Sequence, residues 1–125
     1  MVLKLYGMPG STCTRRVATV LKEKNVPYEL VLVDLSKGEH KAAAFVAKQP
    51  FGQVPYLVDD DGFTLFESRA MCRYIAAKYR AQGNKIVPDA DDVQGNALLE
   101  QAVSIEGSNF DPFASGIAVE KVFRP

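Results

Sequence analysis

The sequence predicts an α/β domain of βαβ–ββα order followed by the start of an all-α domain. Three observations carry this reading. A strand–helix–strand pattern fills the first ~30 residues, which implies a parallel pair joined by a right-handed crossover. The turn Asp59-Asp60-Asp61-Gly62 separates two further short apolar runs, as in a β-hairpin. From Val93 onward the pattern is helical only, with Leu98, Ala102 and Ile105 on one stripe.

Taken in order, Val2 to Tyr6 is a strand with Leu3 and Leu5 on one face. Gly7-Met8-Pro9-Gly10 is loop, and a helix runs from Thr12 to Lys24 with Val17, Val20 and Leu21 at helical spacing until Asn25-Val26-Pro27 ends it. Tyr28 to Val33 alternates as a second strand. Residues 34–52 are polar and read as helical only around Ala42-Ala43-Ala44. Val54 to Val58 and Phe63 to Phe66 form the hairpin, and Ser68 to Tyr79 is a helix with Met71, Tyr74, Ile75 and Tyr79 on one face. This order is the thioredoxin-like arrangement, filling residues 1–80. Residues 81–92 read as a linker and 93–125 as the first helices of an all-helical domain. Asp111-Pro112 should break or kink that helical stretch, because a residue before proline is pushed out of the α region. The stripe Leu98, Ala102, Ile105, Ile117 and Val122 has no later element to face, so the second domain reads as cut short. A chain ending at Pro125 is expected to associate or to be unstable, since large exposed apolar patches mark interfaces or aggregation; a monodisperse, cooperatively melting monomer would contradict this.

Composition narrows the function. With 15 basic and 15 acidic residues balanced and no basic cluster longer than Arg15-Arg16, nothing argues for a nucleic-acid partner. No apolar run approaches the ~18 residues of a membrane span. The N-terminal stretch lacks a basic n-region and enters a strand directly, so it is not a signal peptide. Two cysteines, Cys13 and Cys72, make no disulfide framework, and a single histidine argues against a zinc site. These features point to a reducing, cytoplasmic setting. Asp59-Asp60-Asp61 is better explained as a turn than as a metal site, and no metal is expected.

Three short segments carry candidate chemistry. Ser11 stands where a loop turns into a helix, so its hydroxyl can donate to a thiolate while the helix dipole favours negative charge; the plain alternative is an N-cap. Pro55 cannot donate to a sheet ladder and belongs at a strand start or turn. Were the Val54–Pro55 bond cis, the Val54 backbone would be exposed to pair with a peptide ligand. Glu67-Ser68 starts a helix, where Ser68 can take a carboxylate and Glu67 an ammonium, a fit for an α-amino acid head group; the alternative is simple capping. Gln53, His40 and Lys41 could hold a second carboxylate or be merely solvated. Cys13, in the first turn of its helix, is a rival nucleophile but has no Cys-x-x-Cys partner. Cys72 lies in an apolar stripe and reads as core.

The runs Lys4-Leu5-Tyr6-Gly7, Ser11 with Thr14-Arg15-Arg16-Val17, Gly38-Glu39-His40-Lys41, Pro50-Phe51-Gly52-Gln53-Val54-Pro55 and Leu65-Phe66-Glu67-Ser68-Arg69-Ala70 occur in order. Together they resemble the phi class of glutathione transferases. The likeness runs from Leu3 to about Arg80 and more loosely through Glu106, Phe110-Asp111-Pro112 and Ala114-Ser115. It implies a homodimer that conjugates glutathione, as co-substrate, to small hydrophobic electrophiles, with glutathione peroxidase activity as an accompaniment. By the same resemblance Ser11 activates the thiol and Val54–Pro55 is a cis peptide bond that pairs with the cysteinyl backbone. Gln53, Glu67 and Ser68 hold the γ-glutamyl half or its neighbouring backbone, and His40 and Lys41 lie near the glycine carboxylate. Met8, Pro9, Phe113 and Ile117 are candidate walls of the electrophile site.

The competing reading is a non-catalytic module, either like the transferase domain of elongation factor 1 gamma or a ligandin-like binder. Ser11, Gln53 and Glu67-Ser68 occurring together favour the enzyme, because a pure interaction module has no physical need of all of them. A thiol transferase working through Cys13 is a third reading.

Overall fold

Burial along Leu3–Gly7 alternates strictly, with Leu3, Leu5 and Gly7 buried and Lys4 and Tyr6 half-buried, as a strand whose two faces are covered to different depths requires. This strand, β1, belongs to a computed structural model that describes residues 2–124. Met1 and Pro125, which the sequence reading includes in its two domains, lie outside the described residues. The chain divides into two compact units at Lys85/Ile86.

In the first unit, α1 (Thr12–Glu23) carries the chain from β1 to β2 (Tyr28–Leu32), which pairs parallel with β1 from Leu3↔Tyr28 to Gly7↔Leu32. Residues 35–37 and 39–41 form two single 3₁₀ turns, and α2 (Ala43–Val46) follows. β3 (Tyr56–Val58) runs antiparallel to β1, and β4 (Thr64–Phe66) antiparallel to β3, giving the sheet order β2-β1-β3-β4. Strand β3 begins two residues later than the sequence suggests. Tyr56 is the first residue to pair, opposite Tyr6, because Pro55 has no amide to give the ladder. α3 (Ser68–Lys78) closes the unit.

The strand alternation separates two apolar clusters. Leu3, Leu5, Val17, Leu21, Val26, Leu57, Met71 and Ile75 join β1 and β3 to α1 and α3. Val33, Phe45 and Tyr56, with Tyr6, Val54 and Phe66 against them, join the strands' other face to α2. Cys72 packs against the first cluster, and burial pushes its thiol up to about 11.

Two polar anchors fasten this unit. At the hairpin, the buried Asp59 carboxylate accepts hydrogen bonds from the Lys78 ammonium at 2.7 Å and from the Tyr74 hydroxyl, while the Gly62 amide donates to the Asp59 carbonyl at 2.9 Å. Burial pushes the Asp59 carboxyl up, but the bonds from Lys78, Tyr74 and the Asp60 amide outweigh it and hold it below its ordinary value. The same contacts raise Lys78, and burial followed by Asp59 pushes Tyr74 up to about 12. At the end of α1, Lys24 is only 1% exposed and donates to the Asn84 carbonyl at 2.8 Å. The Gln82 side chain donates to the Lys24 carbonyl, and the Asn84 amide to the Glu23 carbonyl. Gly83 makes this strap possible: its φ is +65°, and a Cβ there would lie 2.4 Å from the Glu23 carbonyl oxygen.

In the second unit, α4 (Val93–Ile105) starts at Asp92, whose carboxylate accepts from the Gly95 amide, and α5 (Asp111–Ala118) follows. At Asp111-Pro112, where a break or kink is expected, the helical path shows no interruption but an irregular turn just before the pair. Residues 106–110 form one wide π-turn in which the Asp111 amide donates to the Glu106 carbonyl, and Pro112 follows in the first turn of α5. A second π-turn covers Val119–Phe123. Leu98, Ile105, Phe110, Phe113, Ile117 and Val122 are all exposed. No helix among the described residues is long and apolar enough to cross a membrane.

Gly83→Ala should lower the unfolding free energy by about 2 kcal/mol or more, from left-handed backbone strain and the displaced Glu23–Lys24 backbone, read by urea denaturation. Asp59 has a folded pKa below its unfolded value of 3.8, so its contribution is complete above that value and disappears as pH falls through the folded one. Thermal melts from pH 6 to 2 should show a drop in Tm that Asp59→Asn flattens.

Candidate active site

The sheet register gathers the three candidate segments at one end. Tyr6 pairs with Tyr56, and Tyr56 pairs with Phe66. β1 therefore leaves toward Ser11, β3 arrives from Val54–Pro55, and β4 leaves toward Glu67-Ser68, all from one end of three adjacent strands about 4.8 Å apart. The Tyr6 and Tyr56 rings stack at 4.5 Å beside this end.

Close packing sets the Ser11 corner. A Cβ on Gly7 would lie 2.6 Å from Thr14 Oγ1, so only glycine lets the first turn of α1 settle against the end of β1. The Met8 amide donates to Thr14 Oγ1, the Ser11 amide to the Met8 carbonyl, and Arg15 Nε to the Pro9 carbonyl. Ser11 caps α1, its Oγ accepting from the Thr14 amide at 3.2 Å. Capping uses an oxygen lone pair and leaves the hydroxyl proton to be donated, so the N-cap and a thiolate partner are compatible roles.

At the second corner the Val54–Pro55 peptide bond is cis, as the resemblance implies. Pro55 is buried and Val54 half-buried. The preceding loop draws in the other candidates. Lys41 Nζ donates to the Gly52 carbonyl at 2.9 Å, and Gly52, at φ +58°, has the His40 carbonyl 3.0 Å from where a Cβ would stand. His40 and Lys41 thus lie against Gly52, next to the exposed Gln53. His40 Nδ1 is buried with no hydrogen-bond partner.

The third corner is strained. Glu67 has φ +78°, a conformation that costs a non-glycine residue about 1–3 kcal/mol and that collects at functional sites. It turns β4 sharply into α3, leaving the Glu67 side chain exposed and Ser68 buried, 6% accessible. Ser68 Oγ accepts from Arg16 Nη1 at 2.8 Å. The same nitrogen donates to Cys13 Sγ at 3.6 Å, and Cys72 Sγ donates to the Arg16 carbonyl. Arg16 therefore joins the start of α1 to the start of α3.

The Ser11, Val54–Pro55 and Glu67-Ser68 segments share the sheet end, and His40, Lys41 and Gln53 attach to it through the Gly52 loop. Arg16 was not singled out as a site residue in the sequence. The available signal is its position four before Val20, on the half-buried side of α1. The carboxylates of Asp59, Asp60 and Asp61 come within 4.8 Å of one another, but Asp59 is committed to Lys78 and Tyr74. A groove of about 770 Å³ along α1, lined by Arg15, Thr19, Lys22, Asn25 and Pro27 among others, touches none of the candidates.

A mixed four-stranded sheet with a cis-proline loop and two helix starts at one end defines a thioredoxin-like domain. Residues 1–77 match the model of the glutathione S-transferase N-terminal domain, and the chain belongs to the glutathione S-transferase family. Glutathione S-transferase PM239X14 of Arabidopsis thaliana is 49% identical over 98% of this chain and 56% of its own length. The crystal structure of glutathione transferase F7 from Populus trichocarpa superposes with a TM-score of 0.92 at 45% identity, over 99% of this chain and 57% of that one. F-type, phi-class members recur among the relatives. A solved glutathione S-transferase-I bound with lactoylglutathione is 30% identical, with a TM-score of 0.87, over 100% of this chain and 57% of that one. The chain spans a little over half the length of the relatives it matches.

Replacing Gly52 by alanine should disturb the loop that presents Lys41 and Gln53. The φ of +58° and the His40 carbonyl at 3.0 Å leave no room for a methyl group. Amide hydrogen exchange should speed up across residues 49–54 while α4 stays unchanged.

Proposed function

We propose that the chain carries the glutathione-binding half of a serine-type glutathione transferase, which conjugates glutathione to hydrophobic electrophiles. The observation that carries this is the convergence of Ser11, the cis Val54–Pro55 bond and Glu67-Ser68 at one end of the sheet. Family membership and the lactoylglutathione-bound relative support it.

In this reading the peptide-like ligand lies across the three corners. Its cysteinyl backbone pairs with the Val54 N–H and C=O. Its γ-glutamyl carboxylate meets Ser68 at the start of α3, where hydroxyl, amide and helix dipole favour an anion, and Glu67 takes the ammonium. Gln53 adds a contact beside them. Lys41 and the unpartnered His40 Nδ1 stand toward the glycine carboxylate. The thiol sulfur then sits near Ser11, whose hydroxyl proton the cap leaves available. Donation to the sulfur stabilises the thiolate, lowering the thiol pKa from its free value of ~8.5 and supplying the nucleophile at neutral pH. The thiolate attacks the electrophile's carbon, and the departing group carries away the bonding pair. The sequence resemblance adds a homodimer to this proposal, with peroxidase activity as an accompaniment, and the sparse cysteines add a cytoplasmic setting.

Conjugation kinetics with a generic aryl halide test the assignment. Ser11→Ala should lower kcat by about tenfold or more and raise the apparent pKa of its pH profile, as expected when a donor to a developing anion is lost. Cys13→Ser should leave kcat nearly intact. Ser68→Ala should raise KM for glutathione more than it lowers kcat, because that contact is alike in ground and transition states. Loss of activity in Cys13→Ser with a mild Ser11→Ala would transfer the chemistry to Cys13. No retention on immobilised glutathione would favour the non-catalytic reading.

A further inference from the structure

We infer that Arg16 is a positioning residue that fixes the direction of the Ser68 hydrogen bond and so makes Ser68 select a carboxylate. The inference rests on the glutathione reading above and adds to it a residue that touches no ligand.

A guanidinium has five N–H groups and no acceptor, and it does not deprotonate in proteins. Arg16 Nη1 lies 2.8 Å from Ser68 Oγ, so the contact has only one polarity: arginine donates and the serine oxygen accepts. The Ser68 proton cannot be spent on Arg16. It remains for a partner that accepts, and a carboxylate oxygen is the acceptor that an amino-acid head group offers. The positive charge polarises the hydroxyl and strengthens that donation, and Ser68 is 6% exposed, so solvent competes weakly.

The guanidinium is itself held. Nη1 also meets Cys13 Sγ at 3.6 Å, and the Arg16 carbonyl accepts from Cys72 Sγ at 3.6 Å, which ties this turn of α1 to α3. Lysine at position 16 would still only donate, though from a flexible stem. Glutamine is different, because its amide oxygen accepts and can divert the Ser68 proton inward.

The test compares two ligands on one preparation of each variant, so the ratio is independent of the fraction folded. Titration calorimetry measures glutathione and an analogue whose γ-glutamyl α-carboxylate is a carboxamide. The 125-residue chain should prefer glutathione by about tenfold or more, since the analogue's amide oxygen still accepts the Ser68 proton but without the charge that strengthens the bond. Arg16→Gln should reduce the preference to about threefold or less, and Arg16→Lys should retain more of it than Arg16→Gln because lysine keeps the donor-only polarity. An Arg16→Gln chain with the original preference overturns the inference while leaving the glutathione site intact. So does an original chain that binds both ligands equally. If Arg16→Gln cannot be obtained folded, Arg16→Lys decides: a preference reduced but still above the Ser68→Ala value supports the inference, and one equal to the Ser68→Ala value overturns it. An original chain that binds neither ligand removes the glutathione reading and this inference with it.

Discussion

The pairing of Tyr6 with Tyr56 and of Tyr56 with Phe66 is the constraint on which the candidate site depends. Strand register is all-or-none at the scale of one residue, because a slip of one turns every side chain to the opposite face. Here a slip would exchange the residues of the two apolar clusters. It would also offset the loops holding Ser11, Pro55 and Glu67 by several ångströms. The fold therefore protects the site indirectly: what keeps Leu5 and Leu57 buried also keeps three distant loops abreast.

Within that frame each corner is set by a different local device. Gly7 admits Thr14 by lacking a side chain, Gly52 admits the Lys41 loop through a positive φ, and Glu67 is forced into a strained turn that no glycine relieves. The last is the most telling. A non-glycine residue persists at positive φ only where the surrounding structure holds it there. An exposed carboxylate beside a helix start is otherwise an ordinary surface group.

Much of this was legible in the sequence. The alternation of Leu3 and Leu5, the helical spacing of Val17, Val20 and Leu21 and the acidic hairpin each depend on neighbours within a few residues, and the elements formed where those patterns lie. The cis bond was expected through the family resemblance rather than through Val54 and Pro55 themselves. Three features were not legible. The Arg16–Ser68 contact spans 52 residues, so no local pattern announces it. Lys24 is buried because residues 82–84 fold back over it, which no pattern around the end of the helix announces. The π-turn before Asp111 was missed because the rule that proline disrupts helices fixes only the residues adjoining it, whereas a wider turn upstream absorbs the conflict.

The strap at the end of α1 has a practical bearing on where this domain can be divided. The family match stops at residue 77, before Gln82, Gly83 and Asn84. A fragment cut there would leave the Lys24 ammonium in an apolar setting without the carbonyl that receives it, and would strip the last turn of α1 of the side chain and amide that satisfy its carbonyls. Since Ser11 and Arg16 ride on the same helix, a loosened C-terminal turn would be felt at its other end. A piece carrying the candidate site that keeps this strap therefore extends at least through Asn84.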